Sequence, residues 1–387
     1  MRESQHPEIG IAAIAAYAPS WKLSNDWFGS KLPNKFVHQT GIVTRHVSEE
    51  DEVLMAVRAA EKLQREFPCE WRDCAGIIFS APSFVPLQVV KHYCTEDRVQ
   101  QEHLPKAARR FAQHLGLENR SVHAVNWFCS GFAKGLQIAL RPQDRKLILQ
   151  QNQFLLVVNS SRISRITDYG CRQTGALFGD MATVTLISRT DSPLYPPHFQ
   201  ILYADAKRYA TDGVFFDFHL RENVVSPSIA GQHQTDAQRL VFSLNGMGIA
   251  ESAPRAMTKA LAEACEVLGL PFGDLRFVVP HQAGAGIVRL AAMKMESAGV
   301  RGQVVNGIAN DIGNVSSCSI PYALNKMWNN LDGYIACPTA AVGQPGRPEM
   351  SQGCIVLKTL APVRGTMPAP LANLSAIAGE STPCPSW

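Results

Sequence analysis

A chain of 387 residues with 46% hydrophobic and 18% charged residues can bury a substantial core, which excludes a mainly disordered protein. Lysine and arginine total 37 against 33 aspartate and glutamate, a net charge of +4 with no run of five or six like charges, so neither a nucleic-acid surface nor a polybasic membrane face is expected. No stretch of 18 uninterrupted apolar residues offers a membrane span, and Met1-Arg2-Glu3-Ser4-Gln5-His6-Pro7 lacks the apolar run of a signal peptide, which predicts a cytoplasmic protein.

Along the chain, short runs rich in Val, Ile and Leu alternate with longer amphipathic or Ala-rich stretches. Strands are expected at 9–16, 76–80, 154–159 and 183–187, with helices at 53–67 and 130–140 between them. A Pro-rich seam over 192–197 interrupts the pattern. Beyond it, strands at 277–279, 303–306 and 353–357 alternate with helices at 250–268 and 286–298. This is an α/β signature in two halves, 1–195 and 196–360, followed by an Ala/Pro-rich tail over 361–387 with no sustained period. No sequence identity repeats between the halves, so periodicity alone gives no ground for a duplicated architecture.

Ten cysteines are scattered through the chain and none forms a Cys-x-x-Cys pair, which argues against a disulfide framework or a structural zinc site; no metal is expected. One cysteine stands apart. Val125-Asn126-Trp127-Phe128-Cys129-Ser130-Gly131 runs from an extended segment through a Ser/Gly turn into a helix. Cys129 there faces a helix N-terminus, where unpaired N–H groups and the dipole favour thiolate over thiol. The same placement also suits a small apolar residue packing a strand–helix corner.

His281, in Pro280-His281-Gln282-Ala283, ends a buried-looking strand, where α/β folds place reactive groups, although an isolated histidine is often structural. The adjoining Gly284-Ala285-Gly286 begins like a dinucleotide fingerprint, but Arg289 stands where the third glycine belongs. Asn314 lies in Gly313-Asn314-Val315-Ser316-Ser317-Cys318-Ser319-Ile320-Pro321, a glycine-bearing loop that runs into a helix. It reads either as a turn or cap residue or as an amide donor that, beside the histidine, holds a carbonyl oxygen becoming anionic.

These segments, with Thr40-Gly41-Ile42, Arg45-His46, Leu177-Phe178-Gly179-Asp180 and Asn245-Gly246, make the chain resemble the β-ketoacyl-acyl-carrier-protein synthase III group of the thiolase superfamily over most of residues 9–358. The resemblance implies a thiolase-like five-layer αβαβα fold made of two similar α/β halves, a homodimer, and a catalytic triad of Cys129, His281 and Asn314. It implies that Cys129 attacks an acyl thioester, the oxyanion being held by the cysteine's own N–H and by another from a C-terminal loop near Ser351 and Gly353. His281 and Asn314 would then bind a malonyl- or β-ketoacyl-thioester whose carbanion attacks the acyl group, with no cofactor beyond the phosphopantetheine thioester of coenzyme A or acyl carrier protein. Related acyltransferases to alcohols or amines often lack the asparagine, so its retention favours condensation; relatives that join two acyl chains by non-decarboxylative Claisen chemistry keep it.

Several positions depart from the family pattern. Trp127 and Phe128 stand where small residues are usual, which implies a bulkier wall around the nucleophile. Lys35 and Gln39 replace the Trp and Arg that meet the adenine of coenzyme A, while Arg172 and Lys294 match basic entrance positions, which favours a carrier protein as partner. Gly284 and Gly286 replace a usual Asn and Arg. An extra stretch over 85–103, carrying Glu96, Asp97, Glu102 and His103, precedes Leu104, where the family's partner subunit closes the acyl pocket.

Together these changes imply an enzyme of specialised polyketide or fatty-acid-derived natural-product biosynthesis; an acyltransferase to an alcohol or amine, or a chain-joining Claisen enzyme, is the alternative. A papain-like protease shares the order Cys, His, Asn, but its Cys-Gly-Ser-Cys-Trp context is missing. An inactive partner subunit would ordinarily lose the nucleophile that this chain keeps.

Overall fold

A computed structural model describes residues 8–83, 103–141, 148–228 and 231–360. The tail over 361–387 and all of the extra stretch except His103 lie outside the described residues. The strands are β1 Ile9–Tyr17, β2 Lys22–Ser24, β3 Thr44–His46, β4 Cys74–Ser80, β5 Ser121–Val125, β6 Phe154–Ser161 and β7 Met181–Arg189. Then follow β8 Phe199–Ala210, β9 Phe216–Pro227, β10 His233–Leu244, β11 Leu275–Val278, β12 Gln303–Val304, β13 Tyr334–Val342 and β14 Glu349–Thr359. The α-helices are α1 Phe36–Thr40, α2 Glu52–Glu66, α3 Leu104–His114, α4 Gly131–Leu140, α5 Gly246–Leu268, α6 Ala285–Ser297 and α7 Ser319–Lys326.

Ten strands form one sheet in the order β12-β11-β13-β14-β8-β1-β7-β6-β4-β5. Read outward from its centre, each half repeats the same pattern. β1 pairs antiparallel with β7 and β7 with β6, while β6 pairs parallel with β4 and β4 with β5. β8 pairs antiparallel with β14 and β14 with β13, while β13 pairs parallel with β11 and β11 with β12. The duplication that periodicity could not reveal is therefore explicit in the topology, and β7 gives way to β8 across the Pro-rich seam.

Apolar side chains determine the layers. β4 and β6 are buried along their whole length, as strands covered on both faces must be. On one outer side, α2 presents Val53, Met55, Ala56, Ala59, Ala60 and Leu63 to the first half's sheet, and α3 adds Leu104, Ala107, Ala108 and Phe111. On the other outer side α5 and α6 cover the second half's strands through Met257, Leu261, Ala291 and Met295. Between the two halves lie α4 and α7, whose Phe132, Leu136, Ile320 and Leu324 share one core with residues of both. The result is the αβαβα stack.

Helix ends follow local chemistry. Asp51 caps α2 by accepting from the Leu54 N–H, and Asn245 caps α5 by accepting from Gly248. Apart from the main sheet, β9 and β10 make a long two-stranded hairpin whose base enters the functional cavity.

Candidate active site

Both inner helices begin in the same way. A single 3₁₀ turn over Phe128–Ser130 leads into α4, and another over Ser316–Cys318 leads into α7. The first follows β5 and the second follows β12, equivalent strands of the two halves. Each turn opens on a non-glycine residue in the left-handed region, Phe128 at φ 42° and Ser316 at φ 53°. Cys129 lies in the first turn. Asn314 lies just ahead of the second, and His281 lies in the loop between β11 and α6.

The three side chains line one cavity of about 180 Å³. Its remaining wall is largely apolar: Ile163, Ile166 and Phe178 from the first half, Phe216, Phe242 and Leu244 from the hairpin, Ile249 and Met257 from α5, and Ala341 and Met350 from β13 and β14. Edge-on contacts of Phe128 with Phe216 at 4.8 Å and of Phe178 with Phe242 at 5.3 Å stiffen this wall. Among the described residues, no charged side chain lines the cavity.

Hydrogen bonds define which polar atoms remain available. Asn314 Oδ1 accepts from the Ser316 N–H at 2.9 Å, so the Nδ2 amino group is the end left for a ligand. His281 Nδ1 lies 2.6 Å from Ser319 Oγ, which also accepts from the Gln282 N–H at 3.2 Å. Assigned with the Ser319 hydroxyl donating to Nδ1, the imidazole carries its proton on Nε2, and both His281 and Asn314 are donors. Burial lowers the His281 pKa to about 4, so the ring is neutral at physiological pH.

Around Cys129 burial works against the thiolate that the helix N-terminus favours. Burial pushes the thiol up to about 11, against which a bond from Ser316 and the cysteine's own N–H act in the opposite direction. Ser316 Oγ is 3.6 Å from Sγ, and Thr339 Oγ1 donates to the Cys129 carbonyl at 3.1 Å. Ser351 donates to Ser130 at 3.1 Å, one residue beyond the nucleophile.

Two stretches that carry the family resemblance, Leu177-Phe178-Gly179-Asp180 and the segment after Arg45-His46, hold the Asn314 loop. The Asn314 N–H donates to the Leu177 carbonyl at 2.8 Å, and its carbonyl accepts from Gly179 at 3.2 Å. Gly179 has no side chain because a Cβ there would collide with the Ile312 carbonyl. Asp180 accepts from the N–H groups of Ser48 and Ser164 and from the Ser164 hydroxyl, tying this segment to the loop after β3 and to the turn after β6. The departures at Gly284 and Gly286 also have a steric reason: Gly284 takes φ 139°, and a Cβ on Gly286 would strike the Gln39 carbonyl, so together they let α6 close against α1.

Of the other expected site residues, Phe128 lines the cavity and Trp127 does not. The indole lies under Lys134 at 4.8 Å and Arg208 at 4.7 Å, packed on the inner core. Leu104, the first residue of α3, is fully buried in the outer layer and does not line the cavity. Ser351 and Gly353 lie within β14, paired to β13 on one side and β8 on the other, so their N–H groups are committed to the sheet and no glycine-rich loop exists at that point. Arg172 is exposed, donating at 3.4 Å to the Ser30 and Lys31 carbonyls, and Lys294 is exposed on α6. Lys35 is exposed, whereas Gln39 reaches the cavity. The sequence reading missed Ser316, Ser319 and the hairpin phenylalanines; the hydroxyls stand inside the segment already singled out, and the hairpin shows as alternation at Phe216, Phe218 and Leu220.

Comparison with known proteins agrees with this architecture. The family model of 3-oxoacyl-[acyl-carrier-protein (ACP)] synthase III matches residues 124–205, and the model of its C-terminal part matches 265–332. The chain is 27% identical to the β-ketoacyl-[acyl-carrier-protein] synthase III of Clostridium beijerinckii over 331 residues, 83% of this chain and 90% of that one. Among solved structures, 3-oxoacyl-(acyl carrier protein) synthase III of Pseudomonas aeruginosa superposes with a TM-score of 0.65 at 20% identity over 91% of this chain and 98% of that one. The priming β-ketosynthase of a polyketide biosynthetic pathway superposes at 0.68 with 22% identity, over 93% and 98%. The chain is a thiolase-fold condensing enzyme. Within that class it is a β-ketoacyl-acyl-carrier-protein synthase III-like acyltransferase, forming carbon–carbon bonds. Among the described residues, no helix is long and apolar enough to cross a membrane, and no cluster of His, Cys, Asp or Glu could hold a metal ion.

Proposed function

We propose that Cys129 is the nucleophile, and that His281 and Asn314 are the paired donors, of a decarboxylative condensation between an apolar acyl thioester and a malonyl-type thioester. The observation that carries this reading is the convergence of these three side chains on one apolar cavity without a charged wall residue. In the first half-reaction Sγ forms a bond to the acyl carbon, the thioester C–S bond breaks, and the thiol proton ends on the departing phosphopantetheine sulfur. In the second, the carbon–carbon bond to the extender's carboxylate breaks, releasing carbon dioxide. The electron pair left behind forms an enolate whose oxygen faces His281 Nε2–H and Asn314 Nδ2–H. That carbanion attacks the acyl-cysteine and releases the sulfur.

Decarboxylation suits the site better than deprotonation, because no carboxylate among the described residues lines the cavity and a histidine held down to about 4 is a weak base. The apolar wall of Phe128, Phe216 and Phe242 supports an acyl group from fatty-acid or polyketide metabolism, and the exposed Arg172 and Lys294 suit the anionic surface of an acyl carrier protein. A homodimer fits the outer edge of β5, which pairs with no further strand among the described residues.

Intact-protein mass after exposure to acyl thioesters on coenzyme A and on carrier protein, then to malonyl and β-ketoacyl partners, tests the reading. Cys129→Ala is expected to abolish the mass gain. Asn314→Ala is expected to load normally and to lose condensation by a factor of about 10² or more, as removal of one oxyanion donor does. Equal loss of both steps in the asparagine variant overturns the division of roles, and discharge only to alcohols or amines makes the enzyme a simple acyltransferase.

A further inference from the structure

The strained turn behind Asn314 also reaches the nucleophile. Ser316 is 2% exposed and holds φ 53°, a conformation that costs free energy in any residue with a Cβ. That conformation lets one residue do two things. Its N–H points back to Asn314 Oδ1 at 2.9 Å, and its hydroxyl points across the two halves to Cys129 Sγ at 3.6 Å. Among the described residues, it is the one side chain that hydrogen-bonds this sulfur.

The duplicated topology explains the placement. Ser316 opens the 3₁₀ turn before α7 as Phe128 opens the turn before α4, and both have φ in the left-handed region. At the equivalent position, the first half turns a ring into the acyl cavity and the second half turns a hydroxyl onto the nucleophile. His281 is held neutral by burial, with its Nδ1 bonded to Ser319.

We propose that Ser316 is a catalytic residue of the first half-reaction, its Oγ–H donating to Cys129 Sγ and stabilising the sulfur as negative charge grows there, while its backbone N–H orients the Asn314 amide. The proposal rests on Cys129 being the reactive thiol. Its direction agrees with the physical balance at the sulfur, where burial raises the thiol and the serine bond opposes it.

The test is the pH dependence of Cys129 alkylation by iodoacetamide, in which the S–C bond forms as iodide leaves, followed by peptide mass in wild type, Ser316→Ala and Ser316→Gly. Glycine removes the hydroxyl and also relieves the backbone strain, so agreement between the two variants separates the hydroxyl from folding. Both are expected to react about tenfold more slowly at neutral pH, with the midpoint about one unit higher and rates converging at alkaline pH. Acyl loading is expected to slow in parallel, and condensation from enzyme already acylated slows as well, because the same sulfur takes up negative charge when it leaves the acyl group. An alkylation profile identical to wild type, in either variant that melts at the wild-type temperature, overturns the proposal. Alkylation needs no acyl substrate; a shifted profile in a chain that loads no thioester would retain this role for Ser316 and reject the condensation.

Discussion

Burial determines the charge state of the groups at this site, and two of them make opposite demands on stability. His281 has its pKa lowered to about 4 by desolvation, below the ordinary 6.5. Between those values the unfolded chain binds a proton that the folded chain refuses, so this group's contribution is present above pH 6.5 and lost as pH falls toward 4. At about 1.4 kcal/mol per pH unit it amounts to about 3 kcal/mol. Asp180, raised to about 6 by burial from an ordinary 3.8, acts the other way, and stability falls as pH rises through that window. His281→Gln leaves the aspartate's demand unopposed. Urea unfolding is expected to show the stability gap between wild type and His281→Gln shifting by about 3 kcal/mol in the variant's favour from pH 7 to pH 4. A gap that does not move with pH would mean that the imidazole is not buried in its neutral form.

Neighbouring residues met different fates because side-chain direction is decided by backbone angles that a sequence does not display. The positive φ at Phe128 turns its ring into the cavity, while Trp127, one position earlier, lies outside it between Lys134 and Arg208. Cys129, His281 and Asn314 were legible as candidates, because each stands at a strand end or loop before a helix. The supporting hydroxyls of Ser316 and Ser319 were not, since their partners are remote in the chain.

At the scale of elements, the hairpin of β9 and β10 supplies Phe216, Phe242 and Leu244 to the cavity wall. The sequence reading passes over 199–244 and so misses β8 and both hairpin strands, although Phe216, Phe218 and Leu220 alternate with polar residues in the way a strand with one covered face does. Phe216→Ala removes the ring packed edge-on against Phe128, and is expected to cost about 3–5 kcal/mol of stability while enlarging the acyl end of the cavity. Competition loading from an equimolar acyl panel, read by intact mass, is expected to shift toward longer or bulkier acyl groups. An unchanged acyl ratio would remove the hairpin from substrate selection. The expected C-terminal loop at Ser351 and Gly353 failed for an element-scale reason as well: β14 begins at Glu349, and pairing on both flanks consumes the backbone donors there.

For the whole molecule, the inner layer binds the halves into one cooperative unit. α4 belongs to the first half and α7 to the second, yet Phe132, Leu136, Ile320 and Leu324 occupy a single core cluster with Ile201 and Ile355. A fragment ending at residue 195 would expose the apolar face of α4, so it is expected to lack fixed tertiary packing, with near-UV circular dichroism lost while far-UV signal persists. The intact chain is expected to unfold in one transition by both probes. A fragment with a native near-UV spectrum would show that the halves are autonomous.

By itself the sequence determined the α/β alternation, the break near the Pro-rich seam and the three segments that carry Cys129, His281 and Asn314, because hydrophobic period, turn chemistry and strand–helix junctions are local properties. Only the tertiary structure decided that the two halves repeat one strand order, that the three side chains share a cavity, that burial opposes the thiolate, and that Ser316 stands at the sulfur. Each of these depends on residues far apart in the chain being packed together, where desolvation and a strained backbone angle set the chemistry.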